Sequence, residues 1–282
     1  MTTEPRDFGR EPAGRLIPWW RSYLVLLGAA WRSQFQYRAN LFIMILSGVA
    51  WQGVGFAFIW VVVAKFGTIG GWSLSEIAFI YGIRLTAHGL FVVVSGRIFV
   101  LDTVIQEGEF DRYLVRPAGA LAQLWNRQFY LPHLGDLLSG LVILIAAATE
   151  IPADWNVLTV GFLLLAVLSG GMIEGALQVI AASFAFRTMN TRQIRGMMDD
   201  IFSNFGGYPI TIFPIAIRLI LTFVIPLAFV AFFPSAVLTG RSGGLYVPEW
   251  LALMSPLAGP LLVLLAREVW RSQLKHYKSS GS

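Results

Sequence analysis

Residues able to do chemistry are few in this chain of 282 residues and lie far apart. There is no cysteine, which excludes disulfides, thiol catalysis and cysteine-ligated metals. None of the three lysines stands in a glycine-rich GK motif, so the chain has no P-loop of its own for ATP. The three histidines lack the HExxH spacing of zinc peptidases, which argues against a zinc site. These residues are Lys65, Lys275, Lys278, His88, His133 and His276.

One short motif matches the nucleophile pattern G-x-S-x-G, in the stretch GRSGG at residues 240–244. A nucleophile elbow requires a turn from a strand into a helix and a histidine within reach. The stretch instead follows proline-interrupted apolar segments, so we interpret Ser242 as a loop residue. An intramembrane hydrolase or acyltransferase built around this loop, Arg84, His88 and Glu174 remains the alternative function.

Ionisable residues inside apolar blocks are the stronger indication of function. Arg84 is followed one helical turn later by His88, and Glu174 is followed by Gln178. Charges in hydrocarbon are costly, so such side chains pair with one another or face a polar cavity. We hypothesise that Arg84 and Glu174 form a pair beside a substrate path. A buried pair with a purely structural role is the other reading.

The apolar blocks around these residues are long enough to cross a bilayer. Apolar residues make up 56% of the chain and charged residues 13%, against about 25% charged in soluble domains. The blocks are continuous rather than alternating, which favours helices over a barrel. We predict an all-α integral membrane protein with six transmembrane helices. Because a span needs about 20 residues, the spans are placed at about 40–64, 76–96, 128–149, 157–186, 190–208 and 248–267.

Residues 1–38 precede this membrane domain, which extends over 39–282. They comprise a charged leader and, over 19–37, an amphipathic helix with interface aromatics, which is expected to lie along the membrane surface.

The fifth span is the ambiguous one. Residues 190–208 have a helical pattern but are polar, whereas 211–233 is apolar but interrupted by proline, which breaks helices. We favour 190–208 as the span, in which case its polar side chains must line a cavity or a subunit interface. Region 211–239 then forms re-entrant helices on the outer side. The polar residues are Arg192, Arg195, Asp199, Asp200, Ser203 and Asn204, and the outer turn residues are Tyr208, Pro209, Pro214, Pro226 and Pro234.

The basic residues orient the chain. With 190–208 as span five, 17 Lys and Arg residues fall on the side of the N-terminus and three on the other side. The positive-inside rule therefore places both termini in the cytoplasm. The connection 97–118 is then cytoplasmic as well.

This connection reads RIFVLDTVIQEGEFDRYLVRPA and combines apolar anchors with charges. Ile98, Leu101, Val104 and Ile105 share one helical face, and Gly108 interrupts the helix before a charged turn. The pattern is typical of a docking element for a cytosolic partner. A solvated connector is the alternative.

Six stretches resemble the permease subunits of type 2 ABC exporters, in the branch of daunorubicin-type multidrug export permeases. They are YRANLF at 37–42, GGWSLSEIAFIYG at 70–82, VIQEGEFDRYLVRP at 104–117, GGYPITIFP at 206–214, LTFVIPLAFVAFFPSAVLTGR at 221–241 and HYKSSGS at 276–282. The chain departs from the family at Phe184–Phe186, where a Phe-Trp pair is usual.

The resemblance implies that the connection between spans two and three is a coupling helix for a cytosolic ABC ATPase. Two ATPase copies would bind ATP and Mg²⁺, while this chain carries no cofactor and binds no nucleic acid. A second permease chain, identical or paralogous, would complete a transporter in a bacterial inner membrane. The implied coupling residues are Gln106, Glu107, Gly108, Glu109, Asp111, Arg112, Arg116 and Pro117.

We therefore expect a non-enzymatic permease that exports an amphipathic or hydrophobic substrate. Besides the intramembrane enzyme, a membrane scaffold or immunity protein without transport is the remaining alternative.

Overall fold

The computed structural model describes residues 38–95, 101–115, 120–126, 133–188 and 190–277. The predicted interface helix at 19–37 lies outside these residues. Within them the protein is helical and has no strand, apart from an isolated bridge between Ile69 and Trp72. The α-helices are α1 (Arg38–Phe66), α2 (Leu74–Ser95), α3 (Leu101–Gln106), α4 (Asp111–Leu114), α5 (Ala120–Asn126), α6 (Leu134–Glu150), α7 (Val157–Ser183), α8 (Ala185–Thr188), α9 (Arg192–Phe205), α10 (Ile215–Leu219), α11 (Phe232–Leu238), α12 (Glu249–Leu253) and α13 (Ser255–Leu274).

Within the described ranges, three segments are long and apolar enough to cross a membrane: Arg38–Phe66, Leu74–Val94 and Val157–Thr188. A fourth candidate is the pair Ile215–Val224 and Leu227–Leu238, which is bent by 76°. The protein is thus an all-α membrane protein, as the sequence predicts. The number of six spans stays a prediction, because α6 has 17 described residues and α9 has 14.

Helix α2 is the most enclosed of the long helices and packs antiparallel to α6 at backbone contact. A Cβ atom on Gly89 would lie 2.6 Å from the backbone of Leu137, and one on Gly140 would lie 2.6 Å from the amide nitrogen of Thr86. Glycine at these positions therefore sets the separation of the two helices. Small residues play this part where apolar surroundings supply no hydrophobic force between helices.

Pairs of contacts along the helices fix their relative directions. Short connections at 67–73 and 151–156 reverse the chain between α1 and α2 and between α6 and α7. Helix α13 runs parallel to α7, since Ser169 contacts Gly259 near one end and Phe186 contacts Trp270 near the other. We call the two ends of the bundle the α1–α2 end and the α3–α4 end, after the connections they contain.

Helix α9 and the residues after it run the whole length of α2 in the opposite direction. Arg195 contacts Asp102 in α3, and Ser203 contacts Arg84 in the middle of α2. Farther along, a Cβ atom on Gly207 would meet the ring of Tyr81 at 2.7 Å. One on Gly70, in the α1–α2 connection, would meet the side chain of Ile212 at 2.8 Å. The chain has therefore passed from the α3–α4 end to the α1–α2 end by residue 212.

Residues 212–241 form a hairpin that begins and ends at the α1–α2 end. It starts beside Gly70, and it finishes where Arg241 bonds both Glu76 and the carbonyl of Gly71. Between these points the chain bends at Pro226, and Val230 reaches Gly170 in the middle of α7. We call this segment the hairpin; its two halves enter the bundle and leave it on the same side.

Candidate functional site

Helices α3 and α4 and the turn between them form a compact projection at one end of the bundle. Gly108 has φ of +71°, a left-handed conformation that glycine adopts more readily than any other residue, and this turns the chain so that the Phe110 amide bonds the Val104 carbonyl at 3.2 Å. Leu101, Val104 and Ile105 are all buried, so the apolar face proposed from the sequence packs inward.

The predicted coupling residues divide by exposure. Gln106, Glu107 and Arg112 are exposed, whereas Gly108, Glu109 and Asp111 are half-buried. Arg116 and Pro117 lie outside the described residues. The projection therefore presents polar side chains, together with the exposed Leu114 and Val115, above a buried apolar base.

An aromatic cluster holds the projection onto the bundle. The buried ring of Phe110 lies 5.0 Å from that of Phe186 and 4.9 Å from that of Tyr277, centroid to centroid. Phe186 in turn lies 4.9 Å from Trp270 of α13. The hydroxyl of Tyr277 donates to Asp111 Oδ1 at 2.9 Å, and burial together with this carboxylate raises the pKa of Tyr277 to about 12.

A buried ion pair joins the projection to α9. Arg195 Nη2 donates to Asp102 Oδ2 at 2.7 Å, and Thr191 Oγ1 donates to Asp102 Oδ1 at 2.7 Å. All three residues are at most 4% exposed. Sequence reasoning named Arg195 but missed Asp102. The available signal was its position next to Leu101, inside an otherwise apolar face.

Arg84 and Glu174 do not form the direct pair hypothesised from the sequence. Arg84 Nη2 donates to Ser203 Oγ of α9 at 3.1 Å, while Glu174 Oε1 pairs with His88 Nδ1 at 2.6 Å. The charges on α2 therefore reach different helices: Arg84 reaches α9 and His88 reaches α7.

Gln178 connects α7 to α9 one turn beyond Glu174. Its side-chain amide donates to Asp199 Oδ1 and approaches the Arg195 carbonyl at 3.5 Å. Two other predicted residues, Asp200 and Asn204, do not join this network and are exposed. Together with Gln193 and Met197 they form a stripe on α9, which we call the exposed α9 stripe.

A second polar cluster lies where α1, α2 and α6 meet. His133 Nδ1 lies 2.6 Å from Asp136 Oδ2, and Gln52 of α1 donates to Asp136 Oδ1 at 2.7 Å. The hydroxyl of Tyr81 donates to Gln52 Oε1 at 2.9 Å. One ligand atom from each of His88, His133 and Asp136 lies within 4.8 Å of the others. Sequence reasoning did not group these residues; the spacing of His133 and Asp136 by three along one helix was the only signal.

The predicted outer turn residues lie at or near the starts of the short helical segments in the hairpin and just before it. Pro209 precedes the 3₁₀ turn Ile210–Ile212, and Pro214 precedes α10. Pro226 stands at the bend, and Pro234 lies in the first turn of α11, where its missing amide costs no helical bond. Tyr208 is half-buried beside them.

Ser242 of the G-x-S-x-G match sits in a short 3₁₀ turn, and its hydroxyl donates to Glu249 Oε1. The neighbouring Arg241 bonds Glu76 near the start of α2. His88 lies 12 residues farther along α2, about 18 Å away at 1.5 Å per residue. The serine and that histidine therefore cannot act together.

These contacts define a multi-pass, all-α membrane protein with polar side chains linking its central helices to a polar projection at one end. A family model described as ABC-2 family transporter protein matches residues 49–281. The chain belongs to this family and is a membrane-spanning permease of the ABC-2 type. No curated protein and no solved structure significantly matches the chain. The daunorubicin-type branch named from the sequence stays a prediction.

Proposed function

We propose that the chain is the permease of an ATP-driven exporter and that a separate ATPase subunit docks on the projection formed by α3 and α4. In this proposal two copies of the ATPase bind ATP and Mg²⁺, and a second permease chain, identical or paralogous, completes the path. The continuous apolar surface of the spans favours an amphipathic or hydrophobic substrate. The observation that carries the proposal is the buried ion pair between Asp102 and Arg195.

Docking is supported by the way the projection is built. Exposed polar side chains at Gln106, Glu107 and Arg112 surround a base fixed by the buried Phe110. A rigid base with a polar rim is the composition of a reversible protein interface. Charges on such a rim steer the partner and set its register.

Movement of the projection would be passed to α9 through Asp102. Removing one partner of a buried ion pair costs about 3–5 kcal/mol, so α3 and α9 are expected to move together. Helix α9 also contacts Arg84 of α2 and Gln178 of α7. Closure of the ATPases would therefore act on the centre of the bundle, as rigid-body transitions do.

The exposed α9 stripe supports a path between two permease chains. If α9 crosses the bilayer, Asp200 and Asn204 cannot face lipid, because polar groups in hydrocarbon need partners or water. We infer that they face the second permease chain or the substrate path. The passage of 192–212 along the whole of α2 supports 190–208, rather than 211–233, as the fifth crossing.

In this arrangement α1, α2, α6, α7, α9 and α13 cross the bilayer, with the hairpin on the outer side. The basic residues favour cytoplasmic termini, and the bacterial cell membrane is the proposed location.

Docking is tested by co-expressing the chain with the ABC ATPases of its source organism and measuring their capture. The double variant Glu107→Ala/Arg112→Ala removes two exposed charges and is expected to lower capture and ATP-dependent transport at least tenfold. The matched control is Glu268→Ala/Arg271→Ala, which removes an exposed pair on α13. Unchanged capture and transport in the first variant would reject the docking assignment. A chain that captures no ATPase at all would favour a scaffold or immunity protein.

The topology is tested by single cysteines, because the chain has none of its own. Gly243→Cys, at an open and exposed position beyond the hairpin, should react with an impermeant maleimide in intact cells. Glu107→Cys should react only after the membrane is permeabilised. The opposite labelling pattern would show that the chain has the reverse orientation in the membrane. The projection would then lie outside the cell, where no cytosolic partner can bind it.

A further inference from the structure

The second polar cluster contains a set of metal-ligating groups that the proposed transport does not use. His88 comes from α2, His133 directly precedes α6, and Asp136 lies in the first turn of α6. We propose that these three residues bind a divalent transition-metal ion of the zinc class. This inference is separate from docking and transport, and it differs from the expectation of no zinc site that followed from the wide spacing of the histidines.

The geometry brings the three ligands to one point. Each offers one ring nitrogen or carboxylate oxygen, and these atoms lie within 4.8 Å of one another. Ligands around tetrahedral zinc lie about 3.3 Å apart, given bonds of about 2.0–2.1 Å. Small side-chain rotations would therefore close the site. His133 and Asp136 are already in contact, and the ion would take the place of the proton between them.

A buried carboxylate orients the ligand from α2. His88 Nδ1 bonds Glu174 Oε1 at 2.6 Å, which leaves Nε2 as the ligand nitrogen. Metal-bound histidines commonly donate their other ring nitrogen to such a carboxylate. Gln52 bonds Asp136 Oδ1 in the same way and fixes the second side of the site.

Glu174 supplies an independent observation that points to a cation-binding site. It is 2% exposed, and its second oxygen, Oε2, has no hydrogen-bond partner among the described residues. With Asp136, the cluster thus contains two buried carboxylates beside two histidines. A buried anion without full hydrogen bonding is costly, and a divalent ion would offset that cost.

The chemistry of the ligands selects the class of ion. Imidazole and carboxylate together suit zinc, iron, cobalt or nickel, whereas calcium and magnesium prefer oxygen ligands alone. Three protein ligands leave a fourth tetrahedral position open for water. The ion would also tie the start of α6 to the middle of α2.

The test uses the untagged full-length chain in detergent, stripped of metal and titrated with Co²⁺, followed by competition with Zn²⁺. We expect one Co²⁺ per chain with visible ligand-field absorption bands, displaced by Zn²⁺. His88→Gln, His133→Gln and Asp136→Asn should each lower the affinity at least 100-fold. Glu174→Gln acts through His88 only and should lower it about 10- to 100-fold.

His276→Gln is the matched control, because His276 is an exposed histidine next to Arg187, away from the cluster. It should keep native affinity. Each variant is first compared with the native chain by gel filtration and unfolding temperature, and Asp136→Asn keeps the shape of the side chain should a histidine variant fail to fold. The proposal would be overturned if the Co²⁺ bands were absent, or if all three ligand variants bound Co²⁺ with the affinity of the native chain. The cluster would then be a hydrogen-bond network only.

Discussion

Asp102→Asn gives the sharpest test of the link between the projection and α9. The substitution removes the charge that pairs with Arg195 at 2.7 Å and keeps the shape of the side chain. Both residues are 4% exposed, so the substitution takes a buried charge partner away from a buried guanidinium. The cost of such a loss is about 3–5 kcal/mol. At about 2–4 °C per kcal/mol for a chain of this size, the unfolding temperature should fall by about 6–20 °C.

The measurement is thermal unfolding in detergent, followed by tryptophan fluorescence. Asp102→Asn/Arg195→Met removes both charges and should recover most of the loss, since the buried guanidinium charge that the single variant leaves behind is also removed. Glu268→Gln serves as the control, because its exposed pair with Arg271 contributes at most about 1 kcal/mol. The reasoning is refuted if Asp102→Asn unfolds within about 3 °C of the native chain, or if the double variant is no more stable than the single one.

Three further predictions address packing, the docking turn and pH. Gly89→Ala inserts a methyl group 2.6 Å from the α6 backbone and should cost about 1–3 kcal/mol in unfolding experiments, whereas Gly53→Ala, with open space around it, should not. Gly108→Ala strains a left-handed residue by about 1–2 kcal/mol and should weaken ATPase capture more than Gly108→Asn, since asparagine tolerates that conformation. Because burial and Asp111 raise the pKa of Tyr277 above 10 to about 12, its contribution to stability is present below pH 10 and lost between about pH 10 and 12. Tyr277→Phe should remove that part of the alkaline loss seen in unfolding temperature.

Each of these predictions has a contrary outcome. Equal stability of the two glycine variants would mean that α2 and α6 are farther apart than described. Equal capture by the two Gly108 variants would show that the turn does not shape the docking surface. An alkaline profile unchanged in Tyr277→Phe would place the phenol outside the aromatic cluster in solution.

The class of fold could be predicted from the sequence because continuous apolar runs of about 20 residues have one stable arrangement in lipid. The apolar face of α3 was equally readable, since Leu101, Val104 and Ile105 repeat at helical spacing and all are buried. Such signals are local and do not depend on how the helices are arranged. They therefore predict the secondary-structure elements well.

Partners within the polar network could not be predicted in this way. Glu174 and Ser203 lie on two different helices next to Arg84. Arg84 bonds Ser203, because α9 presents that residue to it. The grouping of His133 with His88 depends on the close approach of α2 and α6, which glycine backbones set. Contacts of this kind arise from packing between distant segments, and one sequence carries no direct record of it.

The attachment of the hairpin at Glu76 has a further consequence. Glu76 lies in the first turn of α2, whose other end lies next to the projection. Its bond to Arg241 therefore connects the hairpin to α2. Helix α2 has 22 residues and is about 33 Å long; if the proposed ATPase docks on the projection, a molecule that binds against the hairpin is therefore coupled to it through α2. Thermodynamic reciprocity would then require the docked ATPase to change the affinity of that molecule by the same factor.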